Sequence, residues 1–119
     1  MNILIVDDNE QVVGFISRVV KIIFPNHEID CASNKKDALK LLQVKDYLFI
    51  TLDGKLDGNN HGRDILKEMT LEQTQKTIVY SGDFDFLLEC KKNEVSTISK
   101  NDDFMPKLRT ILSARGVRI

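Results

Sequence analysis

Four short stretches of the chain carry side chains with chemistry to offer: Asp7-Asp8, Asp53, Ser81-Gly82 and Lys100. Carboxylates are acceptor-only hard oxygen groups, a hydroxyl both donates and accepts, and an ammonium is a compact positive charge. Three carboxylates held roughly 4–5 Å apart repel by a few kcal/mol per pair at an effective dielectric of about 20. A hard divalent cation relieves such crowding, because it takes oxygen ligands. A carboxylate in that company can also act as a nucleophile. Taken singly, each stretch has a plainer reading. Asp7-Asp8 suits the cap of a following helix. Asp53 before Gly54 suits a turn, as does Ser81-Gly82-Asp83, and Lys100 suits solvated surface. What separates the readings is whether the fold brings all four together.

The apolar pattern predicts that it does. Ile3-Leu4-Ile5-Val6 is a continuous apolar run, the mark of a strand buried on both faces. Val12, Phe15, Ile16, Val19, Val20 and Ile23 then recur at helical spacing, and Phe24-Pro25-Asn26 ends that helix. Residues 28–32 read as a weaker strand, and Asn34 as the cap of a helix carrying Ala38, Leu41, Leu42 and Val44. Tyr47–Leu52 is a second buried strand, followed by a polar loop from Asp53 to Gly62. Ile65, Leu66 and Met69 suggest a third helix, and Thr77–Tyr80 a further strand. Phe84, Phe86, Leu87 and Leu88 follow as a weakly patterned helix, either core or an apolar binding patch. Val95–Ser99 makes a short last strand. Asp102 or Asp103 caps a final helix with Met105, Leu108, Ile111 and Leu112, stopped by Gly116, with Pro106 in its first turn.

The order is (βα)5. Alternating strands and helices imply a five-stranded parallel sheet with helices on both faces, an α/β doubly wound fold. In such sheets ligands bind beyond the carboxyl ends of the strands, at the topological switch point. Asp7-Asp8, Asp53, Ser81-Gly82 and Lys100 each follow a predicted strand directly, so they converge on one edge.

The chain has 119 residues, 17 Lys+Arg against 18 Asp+Glu, a net charge of −1 and 42% hydrophobic residues. That size and composition predict one globular domain over residues 1–119, with no room for a second module. The balanced charge lacks the footprint of a nucleic-acid binder. No stretch reaches the roughly 18 apolar residues of a membrane span, and the N-terminus does not read as a signal peptide. Two cysteines, Cys31 and Cys90, cannot form a disulfide framework and are expected as packed thiols. Together these features predict a cytoplasmic protein without membrane insertion.

The stretches ILIVDDNE, LFITLDGKLDG, IVYSGD and STISK, in this order and spacing, resemble the response-regulator receiver domain of two-component signalling, over nearly the whole length. That family has an acidic pair after strand one, a phosphoacceptor Asp after strand three, Ser or Thr after strand four and Lys after strand five. The resemblance implies a flavodoxin-like fold in which Asp53 takes a phosphoryl group from a histidine kinase or phosphotransfer protein. It implies Mg²⁺, or Mn²⁺, held by Asp7, Asp8, Asp53 and the Lys55 backbone carbonyl. Lys100, Ser81 and the Gly82 amide would contact the phosphoryl group. The chain would signal to an unknown downstream protein by contact, or relay the group onward, and would turn over no separate substrate as an enzyme. The alternative is a degenerate receiver that is never phosphorylated and serves as an interaction module.

Two rival motifs run through Asp53. Residues 53–64 superficially fit a calcium loop, but Lys55 puts a cation at its third ligand position and the flank reads as strand. A dehalogenase-type phosphatase motif fails at Lys55 as well. The chain also departs from the receiver pattern. Asp57 stands four residues after Asp53 where Pro is usual, and His61 stands eight after it where Gly is usual, with Gly62 next. Asn101 replaces the usual Pro after Lys100, and Thr97 replaces an aromatic three residues before it. Lys55 and Asp83 flank the expected site with opposite charges, and either pair across it or stand as two independent solvated charges. His61 and His27 are expected as ordinary histidines, His61 in an exposed loop.

Overall fold

In the computed structural model, which describes residues 2–56 and 61–119, the first apolar run forms strand β1 (Asn2–Val6). It is followed by α1 (Glu10–Ile23), β2 (Ile29–Ala32), α2 (Lys35–Val44), β3 (Tyr47–Leu52), α3 (His61–Glu68) and α4 (Leu71–Gln75). The chain continues as β4 (Thr77–Ser81), α5 (Phe84–Lys92), β5 (Ser96–Ser99) and α6 (Phe104–Ala114). All four strand pairings are parallel, in the order β2-β1-β3-β4-β5. Strand order reverses between β1 and β3, which places the switch point at their carboxyl ends.

Alternation along the strands divides the interior in two. Leu4, Val6, Ile50, Leu52 and Val79 face one core with Ala38 and Leu42 of α2, Ile65 of α3, and Phe86 and Leu87 of α5. Ile3, Ile5, Ile78, Tyr80 and Ile98 face the other with Ile16 and Val20 of α1, and Phe104 and Leu108 of α6. A strand's side chains point to opposite faces in turn, so a fully apolar run is what a sheet covered on both sides requires.

Local signals set the helix ends. Asn9, not Asp7 or Asp8, caps α1: its side chain accepts hydrogen bonds from the Gln11 and Val12 amides. Asn34 caps α2 as expected, accepting from the Asp37 amide. Asp103 rather than Asp102 is the cap residue of α6, without a side-chain cap bond. Gly116, at φ +77°, ends α6: its amide donates to Ser113 O, and the Val117 amide to Leu112 O. The weakly patterned segment is a helix after all. It buries Phe86, Leu87 and Cys90 while Phe84 stands 71% exposed.

One element exceeds the (βα)5 expectation. Met69 lies beyond the end of α3, and a separate short helix, α4, follows it. Thr70 and Gln73 form a reciprocal capping box there, which restarts the helix after the break. No helix among the described residues is long and apolar enough to cross a membrane.

Candidate functional site

The sheet ladder runs one residue past the strands and places the site. The Asp53 amide donates to Val6 O at 2.9 Å, and the Lys100 amide donates to Ser81 O at 3.0 Å. The Asp7 amide likewise donates to Ala32 O at 3.0 Å. Asp53 is thereby set beside the end of β1, and Lys100 beside the end of β4. Carboxylate oxygens of Asp7, Asp8 and Asp53 lie within 4.8 Å of one another. Asp7 and Asp53 are buried and Asp8 is exposed. The Lys100 ammonium stands 3.4 Å from Asp53 Oδ1 and 3.8 Å from Asp7 Oδ2.

Asp7 and Asp53 are held against their ordinary ionisation. Burial pushes the Asp7 carboxyl up to about 6, a rise opposed by the Asn9 amide, which donates to Asp7 Oδ1 at 2.9 Å, and aided by the charge of Asp53. Burial also raises Asp53, opposed by Lys100 and by a hydrogen bond from the Lys55 amide. The Lys100 ammonium faces the two buried carboxylates of this set, Asp7 and Asp53. Three clustered oxygen donors suit a hard divalent cation of the Mg²⁺ type, which prefers carboxylate and water oxygens. Because Asn9 caps α1, the capping explanation for Asp7-Asp8 falls away.

The remaining predicted residues sit around this cluster. Ser81 is buried, and its Oγ accepts from the Asp83 amide at 3.1 Å. That bond is the expected turn, but it uses the oxygen only as an acceptor. Gly82 is exposed, and a Cβ placed there meets nothing within 4 Å. Lys55 is exposed. Lys55 and Asp83 do not pair among the described residues; Asp83 instead caps α5, accepting from the Phe86 amide at 3.2 Å. Helix capping outcompetes a solvent-screened ion pair of about 0–1 kcal/mol. Asp57, with residues 58–60 of the loop, lies outside the described residues. The calcium-loop flank is the strand β3.

Two other expectations change. His61 is half-buried at the head of α3, not in an exposed loop, because the helix begins there. Cys90 is buried as expected, but Cys31 is exposed, since β2 is an edge strand with a mostly uncovered face. Thr97 pairs with Val79 within the sheet and brings no ring to the site.

Three contributors escaped the sequence reading. Gly54 lies under the Phe86 ring: a Cβ there would stand 2.6 Å from the ring and 3.0 Å from Ser81 Oγ. Gly62 packs on the backbone of Asp53 and Gly54, with no space for a Cβ. The only available signal was the glycine after His61, displaced by one position from the family pattern. Tyr80, read simply as a strand residue, places its ring 5.6 Å from the Lys100 ammonium. Its position immediately before Ser81 was the clue.

No family model and no curated protein matches the chain. Solved structures do match. The signal receiver domain of a DNA-binding response regulator (merR) from Colwellia psychrerythraea 34H is similar at a TM-score of 0.80 and 21% identity, covering 98% of each chain. A CheY-like response regulator receiver domain from Methylobacillus flagellatus is similar at a TM-score of 0.74 and 22% identity, covering 96% of this chain and 97% of that one. The phosphorylated cyanobacterial phytochrome response regulator RcpA is similar at a TM-score of 0.72 and 18% identity, covering 96% and 89%. The parallel five-stranded sheet with helices on both faces is therefore the CheY-like fold of response-regulator receiver domains.

Proposed function

We propose that residues 1–119 act as a phosphoacceptor receiver in a cytoplasmic two-component or phosphorelay system, with Asp53 as the acceptor. The observation that carries this reading is the cluster itself: three carboxylates within 4.8 Å and an ammonium 3.4 Å from Asp53 Oδ1. The similar RcpA structure is of a phosphorylated response regulator, which supports a phosphoacceptor reading of this chain.

The donor is a phosphohistidine of a histidine kinase or phosphotransfer protein. An Asp53 carboxylate oxygen supplies the electron pair that forms the new O–P bond. The P–N bond of the donor breaks, and its electron pair returns to the imidazole, which takes up a proton. Lys100 offsets the charge carried by Asp53 and the incoming oxygens. The Ser81 hydroxyl and the Gly82 amide would donate hydrogen bonds to the transferred group. Asp7, Asp8, Asp53 and the Lys55 carbonyl would hold Mg²⁺ or Mn²⁺, which supplies positive charge to phosphoryl oxygens when bound. Water hydrolyses the acyl phosphate and restores Asp53. No separate substrate is turned over. The output is protein contact or onward relay to a downstream partner.

The test is incubation of the chain with Mg²⁺ and acetyl phosphate, followed by intact mass. Wild type gains one phosphoryl group and Asp53→Asn gains none. A wild type that stays unmodified with small donors and with phosphohistidine proteins would make the chain an interaction module instead.

A further inference from the structure

Lys100 is loosely held by its acidic partners. Contacts of 3.4 Å to Asp53 and 3.8 Å to Asp7 are longer than the roughly 2.7–2.9 Å of a tight charge-assisted bond. Its side chain is 30% exposed, so solvent does not exclude other placements. A long four-carbon stem between two carboxylates needs a third constraint to keep one rotamer. Tyr80 supplies one. Its ring lies 5.6 Å from Nζ, within the roughly 6 Å range of cation–π attraction.

That ring is itself fixed. Tyr80 is 8% exposed, and its centroid stands 4.7 Å from that of Phe104, which meets Phe15 edge-on at 5.7 Å. Its backbone is paired with Ile98 in the β4–β5 ladder, two residues before Lys100. The charge environment agrees: burial raises the Tyr80 phenol, Lys100 pulls it back and Asp7 pushes it up. Thr97 brings no ring, so among the described residues Tyr80 is the aromatic side chain that lies against the ammonium.

We propose that Tyr80 is a positioning residue for Lys100: its ring face holds the ammonium between Asp7 and Asp53 and guides it as Asp53 changes charge. The aromatic ring, not the hydroxyl, performs this role. Its kinetic consequence rests on the phosphoacceptor reading above, whereas the placement of Lys100 does not.

The experiment therefore has two arms. The first is NMR of the unphosphorylated protein. The ε-methylene protons of Lys100 are displaced upfield by the ring in wild type and in Tyr80→Phe, and return to ordinary lysine values in Tyr80→Leu. Ordinary values in wild type overturn the proposal even if no variant folds. The second arm is the rate of labelling by acetyl phosphate with Mg²⁺. Tyr80→Phe retains the wild-type rate, and Tyr80→Leu slows it about fivefold. In a Lys100→Ala background Tyr80→Leu adds nothing, because its effect runs through the ammonium. Equal slowing in both backgrounds would mark Tyr80 as a mere core residue and overturn the proposal. A wild type that takes no label from acetyl phosphate or from phosphohistidine proteins defeats the phosphoacceptor reading, and the NMR arm alone then decides.

Discussion

Gly62, in the first turn of α3, packs directly on the carbonyl oxygen of Asp53, in space that a Cβ would occupy, with Gly54 Cα 2.8 Å from that position. The start of α3 and the loop after β3 are thus one packed unit. Gly62→Ala should force them apart, costing about 1–3 kcal/mol by overpacking and slowing phosphoryl labelling. Gly82→Ala is the contrast, since its Cβ meets open space and no positive φ opposes it. It should change stability by less than about 1 kcal/mol. Thermal melts of the two variants check both, and equal losses would contradict the packing described.

The acidic cluster predicts a pH signature without metal. Burial chiefly raises Asp7 from 3.8 to about 6. The folded state then binds this proton more tightly than the unfolded state does. The stability it contributes is full below the unfolded value and is lost as pH rises through about 6. Asp7→Asn keeps an oxygen for the Asn9 amide and removes the charge. It should be more stable than wild type above pH 6, with the margin closing toward pH 3.8. A margin that ignores pH, measured by denaturant titration, would contradict this account.

Divalent cations should act on the same cluster. A ligand of the native state alone adds about 2.7 kcal/mol at a hundredfold excess over its dissociation constant. Mg²⁺ should raise the melting temperature of wild type, and chelation should reverse the rise. Asp8→Ala should show little or no shift. Parallel shifts in both proteins would place the cation elsewhere.

Away from the site, Glu94 ends α5 at φ +60°, with its amide donating to Lys91 O and the Val95 amide donating to Cys90 O. This is the left-handed helix stop that glycine serves without strain. Glu94→Gly should therefore stabilise the chain by about 0.5–1 kcal/mol, despite the entropy glycine adds to the unfolded state. A calorimetric melt that falls instead would show that the Glu94 side chain offsets its backbone strain.

The strand ends were the legible part of the site. Apolar runs such as Ile3–Val6 and Tyr47–Leu52 announce buried strands by composition alone, and the residues after them need no further inference. Asn34 and Gly116 were equally readable, because capping chemistry is local. What the sequence hid depends on contacts between distant segments. Nothing local to Phe86 says that its ring covers Gly54, and nothing local to Tyr80 says that Lys100 comes to lie against it. Competition for one partner was also hidden. Asp83 could pair with Lys55 or cap α5, and Asn9 competed with Asp7-Asp8 for α1; in each case the backbone geometry of the helix start decided. The break between α3 and α4 was foreshadowed by Thr70 and Gln73, whose capping box is a short-range signal that the longer apolar period obscured.

The proposed phosphoacceptor role of Asp53 can be read chemically. Its most direct measurement is chemical localisation of the acyl phosphate. The chain is labelled with acetyl phosphate and Mg²⁺, reduced with borohydride, which converts an aspartyl phosphate to homoserine, and mapped by peptide mass spectrometry. The account predicts homoserine at position 53 and none in unlabelled protein. Homoserine at another position, label on His61, or equal labelling of Asp53→Asn would contradict it.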